Sequence, residues 1–349
     1  METPMTKKSF ASDNHAGVHP AILQAIIDAN IGHEKAYGQD SYTKKAIELF
    51  KKHFGQDIAV YLVLTGTAAN VLGMSALLKP YQAILCPETA HINNDEAGAP
   101  ERYTGSKILP VKTTDGKLTV GALKDQLNLI GVQHKVQPKI ISISQATELG
   151  TVYTPEEIKK LTDFAHKNNL YVHMDGARLC NAAARLNKTL AQLTKDVGID
   201  LLAFGGTKDG MMIGEAVLFF NKELAKDFQY IRKQGMQLAS KSRFIAAQFI
   251  PFLSNDLWLK NAQHANNMAT LLAEEMNKIP DIKTSRPVHA NAVFAYIDPA
   301  LIPLLQERYF FYVWNAATSE VRLMTSFDTT KEDVLDFVEY IKAIKARAD

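Results

Sequence analysis

The sequence predicts an α/β fold, a mostly parallel β-sheet dressed with helices and followed by a smaller α+β unit. Three observations lead there. From residue 20 to about 220, short apolar runs alternate with amphipathic, charged stretches, as strands and helices do when taken in turn. The run "DIAVYLVLTG" passes straight into "TGTAANVLGMSALL", a small-residue turn that opens a helix. After about Ser240 the texture becomes mostly helical, with two isolated strand-like runs.

In chain order, "HPAILQAIIDAN" has apolar residues at helical spacing, and Asn30-Ile31-Gly32 ends it. "SYTKKAIELFKKHFG" is a second helix, closed by Gly55. "DIAVYLVLTG", "AILCPE" and "KIISISQ" read as strands. "TPEEIKKLTDFAHKNNL" is a helix with Thr154 as N-cap, Pro155 in its first position and acids in its first turn. "YVHMDGARL", "LLAFGGTK" and "AVLFFN" supply three more short strands. Beyond Ser240, "NAVFAYID" and "VRLMTSF" are the strand-like runs, and "KEDVLDFVEYIKAIKARAD" is a closing amphipathic helix. The first domain is expected to span residues 1–245, and the second 246–349 with the N-terminal segment packed on it.

Composition narrows the function. The 349 residues carry 39 basic and 37 acidic side chains, a formal charge of +2, which gives no reason to expect nucleic acid or an anionic membrane as partner. Hydrophobic content of 46% and charged content of 22% are ordinary for a globular chain. Cys86 and Cys180 cannot build a disulfide framework and read as buried thiols. "METPMTKKSFASDNH" has no apolar h-region, and no uncharged run approaches membrane-spanning length, so the expected setting is the cytoplasm.

Three stretches carry chemistry. Gly66 and Thr67 sit where a strand becomes a helix, so main-chain N–H groups and the helix dipole favour an anion there. The lysine of a nucleotide-phosphate loop and the third glycine of a dinucleotide fingerprint are missing, which favours a lone phosphate over a nucleotide. Asp175 follows an apolar strand and precedes Gly176, so its carboxylate belongs at the strand end, where it can hold a ring nitrogen protonated. The neighbouring Arg178 offers a planar fork suited to a carboxylate. Lys208 lies between two strands in "LLAFGGTKDGMMIGEAVLFF"; Gly205 and Gly206 suggest that the main chain comes close to something bulky. A desolvated lysine has a depressed pKa and forms Schiff bases with carbonyl compounds. Taken singly, each stretch is also compatible with a plain turn, a structural Asp–Arg pair or a loop lysine. Together they are the groups that pyridoxal phosphate requires.

"SDNHAGVHPAIL", "AYGQD", "TGTAAN", "ETAHINNDEAGAPE", "HMDGARL" and "TKDGM" follow the order and spacing of the low-specificity threonine aldolase family. The resemblance runs from Ser12 through "EVRLMTSF". It implies the pyridoxal-phosphate-dependent aspartate-aminotransferase fold (fold type I), a mostly parallel seven-stranded sheet, and cleavage of β-hydroxy-α-amino acids to glycine and an aldehyde. By the same resemblance Lys208 holds the cofactor covalently and Asp175 pairs with its pyridine nitrogen. Gly66 and Thr67 bind its phosphate, and Arg178 contributes to the same pocket. His91 stacks on the ring near the substrate hydroxyl, while Ser12, Arg178 and Arg322 grip the substrate carboxylate. No residue is assigned to a metal. A homodimer or homotetramer is implied, with Tyr37, and Lys241 or Arg243, as candidates to reach a neighbouring subunit's site.

Departures matter too. "SDNHAG" stands where the family has "SDTVT", and "SQATELG" puts Glu148 where a second histidine is usual. The lysine is preceded by "GGT" and followed by Asp209 rather than lying in "SKG". The cofactor chemistry is therefore expected to be intact and the part of the pocket that senses the β-substituent altered. Two rival activities follow: β-elimination on a related amino acid, and non-catalytic amino-acid binding on the same fold. An interaction scaffold is disfavoured because no large apolar or charged stripe is visible in the sequence.

Overall fold

The computed structural model describes residues 8–348. Residues 1–7, the start of the N-terminal stretch in which no leader is expected, lie outside the described residues.

After a single 3-10 turn at Asp13–His15 come α1 (Pro20–Asp28) and α2 (Ser41–Phe54). The Asp40 side chain caps α2 by accepting the Thr43 N–H at 2.7 Å, and Gly55 ends it at φ +106°. Strand β1 (Ala59–Val63) leads into α3 (Gly66–Ser75), whose N-cap is Thr65. Then come β2 (Gln82–Pro87), the short α4 (His91–Asn94) and α5 (Ala99–Thr104), and β3 (Lys107–Val111). The single-turn α6 (Val120–Leu123) precedes β4 (Gln137–Ser144) and α7 (Pro155–Lys167). In α7 the Thr154 hydroxyl and the Glu157 carboxylate satisfy each other's main-chain N–H, the capping box its sequence suggests. Next are β5 (Tyr171–Gly176), α8 (Leu179–Leu186), β6 (Leu201–Gly205) and β7 (Glu215–Phe219).

These seven strands form one sheet in the order β1-β7-β6-β5-β4-β2-β3. Only β7 runs against the others, because it returns antiparallel to β6 after the Lys208 loop, with Gly205 opposite Glu215. The expected seven-stranded, mostly parallel sheet is what the chain forms. Strand β3, unread in the sequence, is an edge strand, which is where Pro110 is tolerated. Alternate residues of the central strands feed two apolar layers. Leu85, Ile141, Met174, Leu202 and Leu218 face the helices of one side, while Ile84, Ile140, Leu201 and Val217 face α3 on the other.

The remainder comprises α9 (Phe228–Gln234), α10 (Arg243–Leu253) and α11 (Leu257–Met276), then β8 (Lys283–Thr284) and β9 (Ala292–Tyr296). It closes with α12 (Leu301–Gln306), β10 (Tyr312–Asn315), β11 (Glu320–Met324) and α13 (Lys331–Ala348). Here the sequence reading is corrected: "NAVFAYID" and "VRLMTSF" are not isolated strands. They pair antiparallel as β9 and β11 in a four-stranded sheet ordered β10-β11-β9-β8. The flanking strands are too short, or too aromatic in "FFYVWN", to have stood out. Core residues pass from one unit to the other along α11: Trp258 and Ala262 belong to the large core, Ala269 to Met276 to the small one. Phe10 is buried in the small core against Tyr309 and Phe337.

The glycines near the sheet edge are there for chain packing. A Cβ on Gly176 would lie 2.7 Å from Leu202 Cδ1 and 2.9 Å from the Ala203 carbonyl oxygen. Gly176→Ala is therefore expected to cost about 1–3 kcal/mol by overpacking, read as a lower urea midpoint. Gly205 meets the Ala177 main chain and Gly206 meets Met211. The bulky neighbours anticipated for these two glycines are thus parts of the chain itself.

Candidate active site

Strands β1, β2, β4, β5 and β6 are parallel, so their C-terminal ends share one edge of the sheet. Each delivers a site residue there: the N-terminus of α3 after β1, His91 after β2, Ser144 and Glu148 from β4 and its loop, Asp175 from β5, and Lys208 after β6. Two adjoining cavities of about 470 and 360 Å³ open on this edge, and His91, Asp175, Ala177 and Lys208 line both. Placement of ligands at this edge is the general rule for open α/β sheets.

Asp175 is anchored from two sides. Its Oδ1 accepts the Ala177 N–H at 3.0 Å and its Oδ2 accepts Asn70 Nδ2–H at 3.0 Å. Burial works against its ionisation, but the Lys208 charge and these hydrogen bonds outweigh it and hold the carboxyl below the ordinary range. Behind it, burial pushes His173 down to about 4, so that imidazole stays neutral at pH 7 and gives up Nδ1 to Ser142 at 2.9 Å. The Lys208 amine has no hydrogen-bond or ion-pair partner among the described residues. The Arg178 charge and burial both lower its pKa, which keeps more of the amine neutral and nucleophilic.

The two ends of the cavity pair suit anions. At one end Thr65 caps the Ala68 N–H at 3.2 Å, which leaves Gly66 and Thr67 at the open N-terminus of α3, lining the smaller cavity. A Cβ on Gly66 would meet nothing within 4 Å, so the approach to the main chain is clear. At the other end Arg322 of β11 stacks over Trp314 and Tyr312, with its buried Nε unpaired among the described residues. Burial and the Arg178 charge both work against its protonation, a cost that a bound carboxylate would offset. Ser12 lines the same cavity. Arg178 is placed there too, but two of its donors are already used: Nε and Nη2 bind Asp13 at 2.8 and 2.9 Å. Asn291 supports that aspartate at 3.0 Å. Arg178 therefore offers a ligand Nη1 and the second hydrogen of Nη2.

His91 sits between the cavities. Its main-chain N–H binds Glu148 Oε1 at 2.9 Å, and its Nδ1 lies 2.9 Å from Glu96 Oε1. The Glu96 bond is the main cause of a raised imidazole pKa. Glu148 is half-buried; burial of its carboxyl raises its pKa, and Oε2 has no partner among the described residues. Glu215, on β7, is pushed by burial up to about 7 although Thr207 and Lys208 oppose the shift. Asp209 is buried beside Cys180; burial raises both groups well above their ordinary values.

These residues fit pyridoxal phosphate: an unpartnered amine and a low-pKa carboxylate face shared space, with a helix N-terminus at the phosphate end. Residues 9–300 match the family described as Beta-eliminating lyase. The chain is 42% identical to the low-specificity L-threonine aldolase of Pseudomonas aeruginosa, over 97% of this chain and 98% of that protein. It is 43% identical to the same enzyme of another Pseudomonas strain, over 97% and 99%. The chain belongs to the beta-eliminating lyase family. Its fold is also that of a solved Leishmania major threonine aldolase, with a TM-score of 0.91 at 31% identity, covering 97% of this chain and 99% of the other.

Several residues of this family member's site were not read from the sequence. Asp13, Asn70 and Glu96 all lie inside quoted motifs, but their roles depend on contacts distant in sequence. Tyr312 and Trp314 belong to the strand that was missed. Tyr37, Lys241 and Arg243 lie on other surfaces, away from both cavities. Tyr37 donates its N–H to Ser240 at 2.9 Å, and Arg243 Nη1 binds the Gly32 carbonyl at 3.1 Å. A wider cleft of about 720 Å³ between the end of β3 and α7 contains none of the site residues, and its Lys117 is satisfied by Glu157 at 2.7 Å. Cys86 and Cys180 are free and buried, as read. Among the described residues no helix is long and apolar enough to cross a membrane.

Proposed function

We propose that this protein is a pyridoxal-phosphate-dependent carbon–carbon lyase that cleaves β-hydroxy-α-amino acids, of the threonine, allo-threonine or phenylserine type, to glycine and an aldehyde. The observation that carries the proposal is the facing pair: the Lys208 amine and the Asp175 carboxylate share both cavities. When bound, the cofactor supplies an electron sink for the pair of electrons released from the broken bond.

The chain's own groups do the rest. Lys208 provides the neutral amine that forms the covalent attachment and is displaced by substrate. Asp175, held ionised, keeps the ring nitrogen protonated. The Gly66 and Thr67 main chain holds the phosphate. Arg322, Ser12 and the free end of Arg178 anchor the substrate carboxylate, which orients the Cα–Cβ bond. His91 is the candidate to take the β-hydroxyl proton. General-base assistance of this kind contributes typically ~10²–10⁴-fold. Arg322→Ala removes a charge-assisted anchor worth about 1.5–3 kcal/mol. It is expected to raise KM for threonine roughly 10- to 100-fold while kcat changes much less.

The deciding assay measures glycine plus aldehyde against pyruvate plus ammonia from the purified protein. Glycine with a stoichiometric aldehyde supports the proposal; pyruvate alone would convert it to β-elimination, which the buried acid Glu148 favours. A protein with neither product nor cofactor absorbance would be an amino-acid binder. Assembly as a homodimer or homotetramer in the cytoplasm completes the proposal. Exposed Tyr37 and Lys241, joined through the Tyr37–Ser240 bond, are its candidates for reaching a neighbouring subunit's phosphate.

A further inference from the structure

Four side chains form one hydrogen-bonded row: His91 Nδ1 to Glu96 Oε1 at 2.9 Å, Asn70 Nδ2 to the same Oε1 at 3.0 Å, and Asn70 Nδ2 to Asp175 Oδ2 at 3.0 Å. Its two ends are the imidazole and the carboxylate that line both cavities. We propose that Glu96 is a positioning residue that fixes the His91 tautomer, so that Nε2 faces the substrate hydroxyl as a proton acceptor, and that ties this imidazole through Asn70 to Asp175. The proposal rests on the retro-aldol reading given above.

The tautomer follows from the donor inventory. An ionised carboxylate only accepts, so the His91 nitrogen beside it must carry the proton, and Nε2 keeps its lone pair. Two features indicate that Glu96 is kept for more than stability. Its side chain is wholly buried, yet among the described residues Oε2 has no partner while Oε1 carries two bonds. The chain also turns sharply right after it: Ala97 and Gly98 adopt φ of +51° and +72°, a left-handed conformation uncommon for alanine. This turn lies between α4 and α5 and helps bring Glu96 inward under α3.

In the reaction the β-hydroxyl proton passes to His91 Nε2 and the O–H electrons form the aldehyde carbonyl as the Cα–Cβ pair departs to Cα. Glu96 faces the imidazolium charge so created. The same proton is then available to complete glycine at Cα, so no further reagent is needed. The groups around His91 are Glu96 and Asp175, which favour its charged form, Lys208, which opposes it, and the buried Glu148 on its main-chain N–H. The working base is the neutral imidazole, so activity should rise with pH through a raised His91 value. Loss of the Glu96 charge should move that acid limb to lower pH.

The test uses the holoenzyme. In Glu96→Gln the amide can donate to Nδ1 and force the proton onto Nε2. The expected result is a kcat lower by about 10²–10⁴-fold, KM within a few-fold, cofactor absorbance retained and the acid limb displaced downward. In a His91→Asn background the same change should have little further effect, because the two residues act as one unit. Wild-type kcat and pH limb in Glu96→Gln, or losses that simply add, would overturn the proposal. If Glu96→Gln does not hold the cofactor, nitrogen-15 NMR of histidine-labelled wild type decides, with His91 identified by its loss in His91→Asn. A proton on Nδ1 supports the proposal and one on Nε2 overturns it. Failure of wild type to produce glycine and aldehyde would instead overturn the functional reading, and the tautomer would still be measurable.

Discussion

Lys208→Ala is expected to lack the near-visible absorbance of the wild type and to lose activity by on the order of 10⁴-fold or more, as removal of a covalent catalytic group typically does. The loss should be chemical rather than structural. Among the described residues the amine has no hydrogen bond or ion pair to forfeit, and the Arg178 charge and burial both disfavour its charged form. Removing a cation so disfavoured should leave the thermal midpoint unchanged or higher. Asp175 is the group that feels the change, since Lys208 is the strongest influence favouring its ionised form. Noncovalent uptake of the cofactor at α3 should persist, read by equilibrium dialysis. A midpoint lowered by many degrees would mean that Lys208 is a structural residue.

Asp175→Asn should give the opposite pattern: cofactor joined to Lys208 and absorbing near the visible, but kcat lower by roughly 10³-fold. That figure is at the upper end for removing one preorganised electrostatic group from a buried site. Asparagine has nearly the same shape and its carbonyl oxygen can replace one of the two acceptors at the Ala177 N–H and Asn70 positions. What disappears is the negative charge, and with it the means of keeping the ring nitrogen protonated. Asp175→Glu restores the charge one methylene away and should recover part of the rate. If Asp175→Asn turned over at the wild-type rate, the carboxylate would have no part in the chemistry.

The parts of this site legible in the sequence are those set by local rules. A strand followed by Asp-Gly places Asp175 at a sheet edge, a lysine between two apolar runs places Lys208 at the same edge, and a small-residue strand-to-helix turn exposes the N–H groups of Gly66 and Thr67. The α/β class followed from the same alternation, and β3 and β10 escaped it because proline and exposed aromatics blur the strand pattern. Contacts between distant segments were not legible. Asp13 opens a single 3-10 turn near the N-terminus, and only the fold brings it onto Arg178, taking two donors that the sequence left to a ligand. Glu96 and Asn70 likewise meet because α3 packs beside α5, which no spacing rule encodes. Gly205 and Gly206 pointed to the right place for a different reason, since the close neighbours are Ala177 and Met211.

The central claim is that one amine, that of Lys208, carries the cofactor. Purified protein loaded with pyridoxal phosphate, reduced with borohydride, digested and mapped by mass spectrometry tests it directly. The account predicts a pyridoxyl group on the peptide containing Lys208 and on no other lysine. A label on a different lysine, or an unmodified Lys208 peptide in protein that holds the cofactor, would contradict it.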